Sequence, residues 1–217
     1  MRQIKKQTEL EILTKWKRQN PTARYGDIDR KNPLDYKLVS EIRNACTKEQ
    51  FYLCAYCCDK ISGNASDTIN EHVIAKDIEP ERSLDFSNIV ASCSTRHQCD
   101  SAHGSQEFLL TPLMPECESE LKFSISGQVE GLTDRAKESI RVLNLGDSEK
   151  NNRSLIRKRH QLSMALLFCN GINHKDGLED NNLLYMVIDD LMQPNNGRLE
   201  AFSPVAVNIL RTCCGLI

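Results

Sequence analysis

The sequence predicts an α+β chain: a zinc-stapled core of two short strands and a helix, flanked by N-terminal helices and a helical C-terminal region. Three observations lead there. Cysteines occur as Cys54 with Cys57 and as Cys93 with Cys99, and two such pairs are the signature of a structural zinc site. Between Leu53 and about Gln106, short apolar or β-branched runs alternate with polar loops. Outside that window apolar residues recur at three- and four-residue spacing, a helical period. The corresponding division is 1–50 for a helical lead-in, 51–110 for the stapled core, and 111–217 for a hairpin plus helices suited to docking a partner.

Taken in chain order, Ile4, Leu10, Ile12, Leu13 and Trp16 among lysines predict an amphipathic helix over Ile4–Arg18, broken by Pro21 and Gly26-Asp27. Leu34, Leu38, Val39, Ile42, Ala45 and Cys46 predict a second helix opening near Pro33, a favoured first-turn residue. In the core, the runs Asp67–Ile69, Val73-Ile74 and Ile89-Val90 suit two short strands, followed by a helix starting near Cys99. So small a unit buries little apolar surface, which is why a metal staple is expected. Leu121–Leu132 alternates around Ser126-Gly127 as a hairpin does. Thr133 reads as the cap of a helix running to Leu145 and stopped by Gly146. Further helices are expected from Asp147 or Ser148 to about Phe168, over Asn182–Met192 and over Pro204–Leu216.

At 217 residues, 40% apolar and 27% charged, the chain is globular rather than disordered. Met1–Leu10 carries Arg2, Lys5 and Lys6 without the apolar run of an export signal, and no stretch approaches a membrane span. The expected compartment is the cytoplasm, where paired cysteines serve as thiolate ligands rather than disulfides. Cys58 is an adjacent spare that can substitute for Cys57, and His97 can replace one sulfur because Cys93 and Cys99 are five residues apart. Cys46, Cys117, Cys169, Cys213 and Cys214 are expected to be small core residues.

Between the cysteine pairs stand groups that a plain zinc ribbon does not need. Glu71-His72 follows Cys57 by 14 residues and Asn88 follows His72 by 16. Phosphodiester hydrolysis needs a base to activate water and a hard cation against the phosphate charge. A neutral imidazole, His72, suits the first role, and carboxylate oxygens suit Mg2+ or Mn2+. Glu71 on the opposite strand face is then a ligand of that ion. The second ligand comes from Asp100 or His103, with Asp100 favoured for the metal and His103 for a phosphate or ligand role. Asn88 is placed to brace the loop that carries His72.

Cys54-Ala55-Tyr56-Cys57, Asn70-Glu71-His72, Asn88-Ile89-Val90-Ala91-Ser92-Cys93 and Cys99-Asp100-Ser101-Ala102-His103-Gly104 together resemble the HNH endonuclease motif with its ββα-metal fold. More narrowly, the chain is similar to the PtuB-like HNH proteins of Septu and retron anti-phage systems. The segments Glu49–Cys54, Phe123–Val129 and Ile140–Gly146 support this, and the likeness covers roughly residues 40–160. It implies His72 as base, with Glu71 and Asp100 as ligands of the catalytic ion. Many relatives carry Asn or His at the Asp100 position and Lys at the His103 position. It further implies an ABC/SMC-like ATPase partner (PtuA-like) and, in retron versions, a reverse transcriptase with its RNA-linked single-stranded DNA.

Charge bears on how substrate is captured. Residues 1–60 hold 13 Lys/Arg against 8 Asp/Glu, and residues 61–217 hold 15 against 22, giving +5 and −7. Phosphate contacts supply much of nucleic-acid affinity, so capture by the isolated chain is expected to be weak. DNA is the default substrate, because attack by water needs no 2′-hydroxyl; RNA, including tRNA, is the other possibility. A zinc-stabilised adaptor without catalysis is the rival reading. A redox role for Cys54-x2-Cys57 lacks the surrounding βαβ pattern.

Overall fold

The computed structural model describes residues 1–148, 150–169, 171 and 181–213. The chain enters as an extended segment. The helix expected over Ile4–Arg18 begins only at Glu11, as α1 (Glu11–Gln19). The preceding residues make long-range bonds that a helix would break. The Ile4 amide donates to the Pro112 carbonyl at 2.7 Å. Lys6 donates to the Ile89 carbonyl at 2.7 Å, pairs with Glu49, and lies 3.9 Å from the Phe86 ring centre. Gln7 and Thr8 also interrupt the apolar stripe a helix would bury. α2 (Pro33–Glu49) starts at the expected proline, and Asn32 caps it by accepting from the Leu34 amide at 2.9 Å.

β1 (Thr68–His72) and β2 (Ile89–Cys93) pair antiparallel, in register from Thr68↔Cys93 to His72↔Ile89. α2 packs against both strands. Of the expected runs, Asp67–Ile69 supplies only the first two residues of β1, and Val73-Ile74 follows its end. Its last three residues are Asn70-Glu71-His72, whose polarity resembles a loop. α3 (Asp100–His103) opens beside Cys99 as expected but lasts a single turn. Gly104 ends it at φ +55°. The architecture is therefore mixed α+β with small antiparallel sheets.

The expected hairpin forms from β3 (Leu121–Phe123) and β4 (Val129–Gly131). Its turn needs glycine twice over: Gly127 has φ +87°, and a Cβ there would meet the Ile156 carbonyl oxygen at 2.2 Å. α4 (Asp134–Leu143) is capped by Thr133, which accepts from the Ala136 amide, and ends at Asn144 in the left-handed conformation before Gly146 is reached. α5 (Arg153–Cys169) begins later than expected, because Asn152 caps it through the Leu155 amide. α6 (Asn181–Leu191) and α7 (Ser203–Cys213) follow, and the expected last turn to Leu216 lies outside the described residues. Asn208 on α7 clamps β3, accepting from the Phe123 amide at 2.9 Å and donating to the Leu121 carbonyl at 2.8 Å. None of these helices is long and apolar enough to cross a membrane.

One cluster of buried apolar residues draws on all three segments, with Ile4, Ile42, Ile89, Leu143 and Phe202 among them. Cys46 and Cys117 sit in it, as expected of small core residues. Cys169 does not; it is exposed. The buried face of α5 runs through Leu155, Arg159, Ser163 and Leu167, and Cys169 lies about 200° round the helix from Leu167. The Cys213 side chain and Cys214 lie outside the described residues.

The buried side chain of Gln50, just past the end of α2, ties that helix to β2. Gln50 is 2% exposed, donates to the carbonyls of Leu53 (2.9 Å) and Ala91 (2.8 Å), and accepts from the Ala91 amide at 2.7 Å. Gln50→Ala removes the side-chain partner of the buried Leu53 carbonyl and Ala91 amide and leaves the Ala91 carbonyl only its 3.0 Å bond from the Ala55 amide, so it should destabilise the fold by about 2–4 kcal/mol in denaturant titration. A change below about 0.5 kcal/mol would show that this clamp carries no stability.

Candidate functional site

The four cysteines of the two pairs converge. Their sulfurs all lie within 4.8 Å of one another and all four residues are buried, so they can hold a metal ion. Tetrahedral zinc at ~2.3 Å from each sulfur needs sulfurs ~3.8 Å apart, and thiolate is a favoured donor for it. The backbone around the sulfurs suits that role. The Cys58 amide closes the first knuckle on the Cys54 carbonyl at 3.1 Å, and the Cys93 amide donates to Cys54 Sγ at 3.3 Å. Gln98 Nε2 lies 3.5 Å from Cys93 Sγ and 3.8 Å from Cys57 Sγ. Cys99 holds the rare φ +53° with its amide tied to the Leu143 carbonyl. Cys58 is buried but outside the cluster, and His97 is exposed, so neither replaces a member of the set.

Thiol chemistry explains why such a group calls for a cation. Hydrogen bonds from its sulfur neighbours, Cys54 first, draw the Cys93 thiol down. Cys54 and Cys93 push the Cys57 thiol well up, and burial together with the same sulfurs does this to Cys99. Four thiolates coexist only around a metal.

Beside the hairpin lies a cleft of about 470 Å³, lined by Tyr25, Arg30, Glu71, His72, Lys76 and Asp100 among others. The strand register delivers its two central groups: Glu71 opposite Val90 and His72 opposite Ile89. Being consecutive on a strand, they lean to opposite faces. His72 Nε2 is 2.8 Å from the Ser83 carbonyl, which can only accept, so Nε2 carries the proton and Nδ1 keeps the lone pair. The Tyr25 ring meets the imidazole edge-on at 4.8 Å. Burial, helped by nearby Lys76, holds the imidazole below its usual range, so the neutral form dominates at neutral pH.

On the other face the carboxyl groups of Glu71 and Asp100 are close enough to share a proton. Burial, then Glu71, pushes Asp100 up to about 8. Burial also works against the Glu71 charge, but hydrogen bonds from His103 and Asp100 outweigh it and hold this carboxyl low. Two carboxyl groups that compete for one proton suit a divalent cation, whose charge lets both ionise. His103 is 1% exposed and has both ring nitrogens engaged, Nδ1 with Glu71 Oε1 at 2.5 Å and Nε2 with the Gln106 carbonyl at 2.7 Å. It therefore braces Glu71 rather than facing the cleft. Asn88 accepts from the Ile74 amide at 2.8 Å and donates to the Ile74 carbonyl at 3.0 Å, fixing the loop that leaves His72.

Several neighbours carry no sequence signal. Tyr25 and Ser83 come from loops with no motif, yet they set the His72 ring, and the Ser83 hydroxyl accepts from the Tyr25 amide. Arg30 and Lys76 bring positive charge to the cleft from an otherwise unremarkable loop and turn. Tyr56 stands between two metal-type cysteines and reads as filler. Neither a protein-family model nor a curated protein matches the chain.

Zinc held by such a set contributes ~10–16 kcal/mol in small domains, as much as the whole stability of a typical one. Purified protein should thus contain one zinc per chain by elemental analysis. Cys54→Ser and Cys93→Ser should each lose the metal and most of the soluble folded protein. Zinc-free wild-type protein that tolerates both changes would contradict this.

Proposed function

We propose that the chain is a metal-dependent endonuclease of the HNH type, with Cys54, Cys57, Cys93 and Cys99 holding a structural zinc and the cleft hydrolysing phosphodiester bonds. The observation that carries the reading is His72: its Nε2–H is fixed on the Ser83 carbonyl, its Nδ1 lone pair is free of that bond, and a carboxyl pair stands one residue away. On this reading the two strands and the one-turn helix α3 are a ββα-metal core. Asp100 favours the metal role over His103, whose nitrogens are both occupied.

Glu71 and Asp100 would hold Mg2+ or Mn2+, which would supply charge neutralisation at the scissile phosphate. His72 Nδ1 takes the proton of a water whose oxygen attacks phosphorus as the bridging P–O bond breaks, and the leaving oxygen departs with that electron pair and takes a proton from solvent. Arg30 and Lys76 bind the flanking phosphates, and Asn88 keeps the His72 loop in place. DNA is the default substrate, and RNA or tRNA would present the same phosphate. The resemblance to PtuB-like proteins supports a role in an anti-phage complex of Septu or retron type, beside an ABC/SMC-like ATPase and, in the retron case, a reverse transcriptase. The net charge of −7 over residues 61–217 supports dependence on such a partner for holding a polyanion.

His72→Ala should lower cleavage by ~10²–10⁴-fold while zinc content and circular dichroism stay unchanged. Full biological activity of this variant would instead make the chain a zinc-stabilised adaptor. Cleavage assays with and without the co-purified ATPase should show slow cutting by the chain alone and faster cutting in the complex. Robust cutting by the isolated chain, with no complex formed, would remove the recruitment proposal.

A further inference from the structure

Tyr56 is the second residue of the two-residue spacer between Cys54 and Cys57, yet it is fully buried and its hydroxyl leaves the knuckle. It donates to Glu71 Oε1 at 3.1 Å. That same oxygen takes the His103 Nδ1 contact at 2.5 Å. Phe108 packs edge-on against both partners, with ring centres 5.8 Å from Tyr56 and 4.9 Å from His103. A metal-site spacer needs only a tight turn, and small or polar residues supply one. A large buried side chain with one hydroxyl aimed at a carboxylate needs another explanation.

We infer that Tyr56 is a positioning residue that ties the geometry of the cysteine cluster to the carboxylate of Glu71. The backbone on either side of Tyr56 is set by Cys54 and Cys57, so an ion among the four sulfurs fixes where the phenol stands. The phenol and His103 then hold one oxygen of Glu71, Oε1, from two directions, which fixes the orientation of its carboxylate beside Asp100. Hydrogen-bond partners behind a ligand orient it, and their loss typically weakens metal binding ~10–100-fold. The inference rests on Glu71 being a ligand of the catalytic cation.

The test is Mn2+ titration of the zinc-loaded full chain, followed by calorimetry and by the electron paramagnetic resonance of the free ion. Three variants are compared with wild type. Glu71→Gln should abolish cleft binding. Tyr56→Phe, which removes one oxygen, should keep one zinc per chain and weaken Mn2+ about tenfold, or ~1.4 kcal/mol. Phe108→Leu keeps every hydrogen bond while loosening both rings, so it should weaken Mn2+ by a smaller factor and serves if Tyr56→Phe does not fold. Cleavage by Tyr56→Phe should recover at saturating Mn2+, a recovery that general destabilisation would not give. If Glu71→Gln leaves Mn2+ binding intact, Glu71 is not a ligand and the inference falls with that assignment. If Glu71→Gln abolishes binding while zinc-loaded Tyr56→Phe and Phe108→Leu bind Mn2+ as wild type does, the assignment stands and only the role of Tyr56 is overturned.

Discussion

Four buried sulfurs within 4.8 Å of one another are an unstable arrangement for thiols and a favourable one around a cation. The local structure hangs on that contrast. β1 and β2 have five residues each and α3 has four, far too little to bury a core of their own. The cysteines gather their ends: Cys54 and Cys57 lie in the turn after α2, Cys93 closes β2 and Cys99 precedes α3. Each cleft group is counted from one of those anchors. Asp100 follows Cys99 directly, Glu71 is registered against β2 three residues from Cys93, and Tyr56 lies inside the first pair.

The cleft uses burial in two opposite senses. A buried imidazole loses the charged form, and His72 is held neutral with its tautomer set by a carbonyl. Burial also disfavours a charged carboxyl, and Asp100 is pushed up for that reason, with Glu71 adding to it. The first shift leaves a neutral imidazole; the second leaves two carboxyl groups competing for one proton. Both follow from neighbours on different strand faces. Consecutive residues on one strand thus meet unlike surroundings without any large movement of the chain.

Much of this was legible in the sequence, and the failures have physical causes. The cysteine spacing located the cluster, and Pro33, Thr133 and Ser126-Gly127 located α2, α4 and the hairpin, because each is a local signal. β1 was blurred since its functional centre, Asn70-Glu71-His72, is polar where a buried strand is expected to be apolar. The N-terminal helix was over-extended because Lys6 and Ile4 find partners more than 40 residues away, which no local period can reveal. Cys169 was misplaced because a helix presents faces, and its position falls off the buried one. His103 looked like a cleft residue by spacing alone; its two hydrogen bonds turn it inward. Tyr25 and Ser83 were invisible for the same reason as Tyr56: their roles exist only in three dimensions.

The central claim is that one ion organises the sulfurs while a second, of different chemistry, is held by the carboxyl pair nearby. Anomalous X-ray scattering from crystals soaked in Mn2+, collected at the zinc and manganese edges, tests it most directly. The account predicts a zinc peak among Cys54, Cys57, Cys93 and Cys99 and a manganese peak between Glu71 and Asp100, facing His72. No zinc signal at the sulfurs, or manganese bound away from both carboxylates, would contradict it.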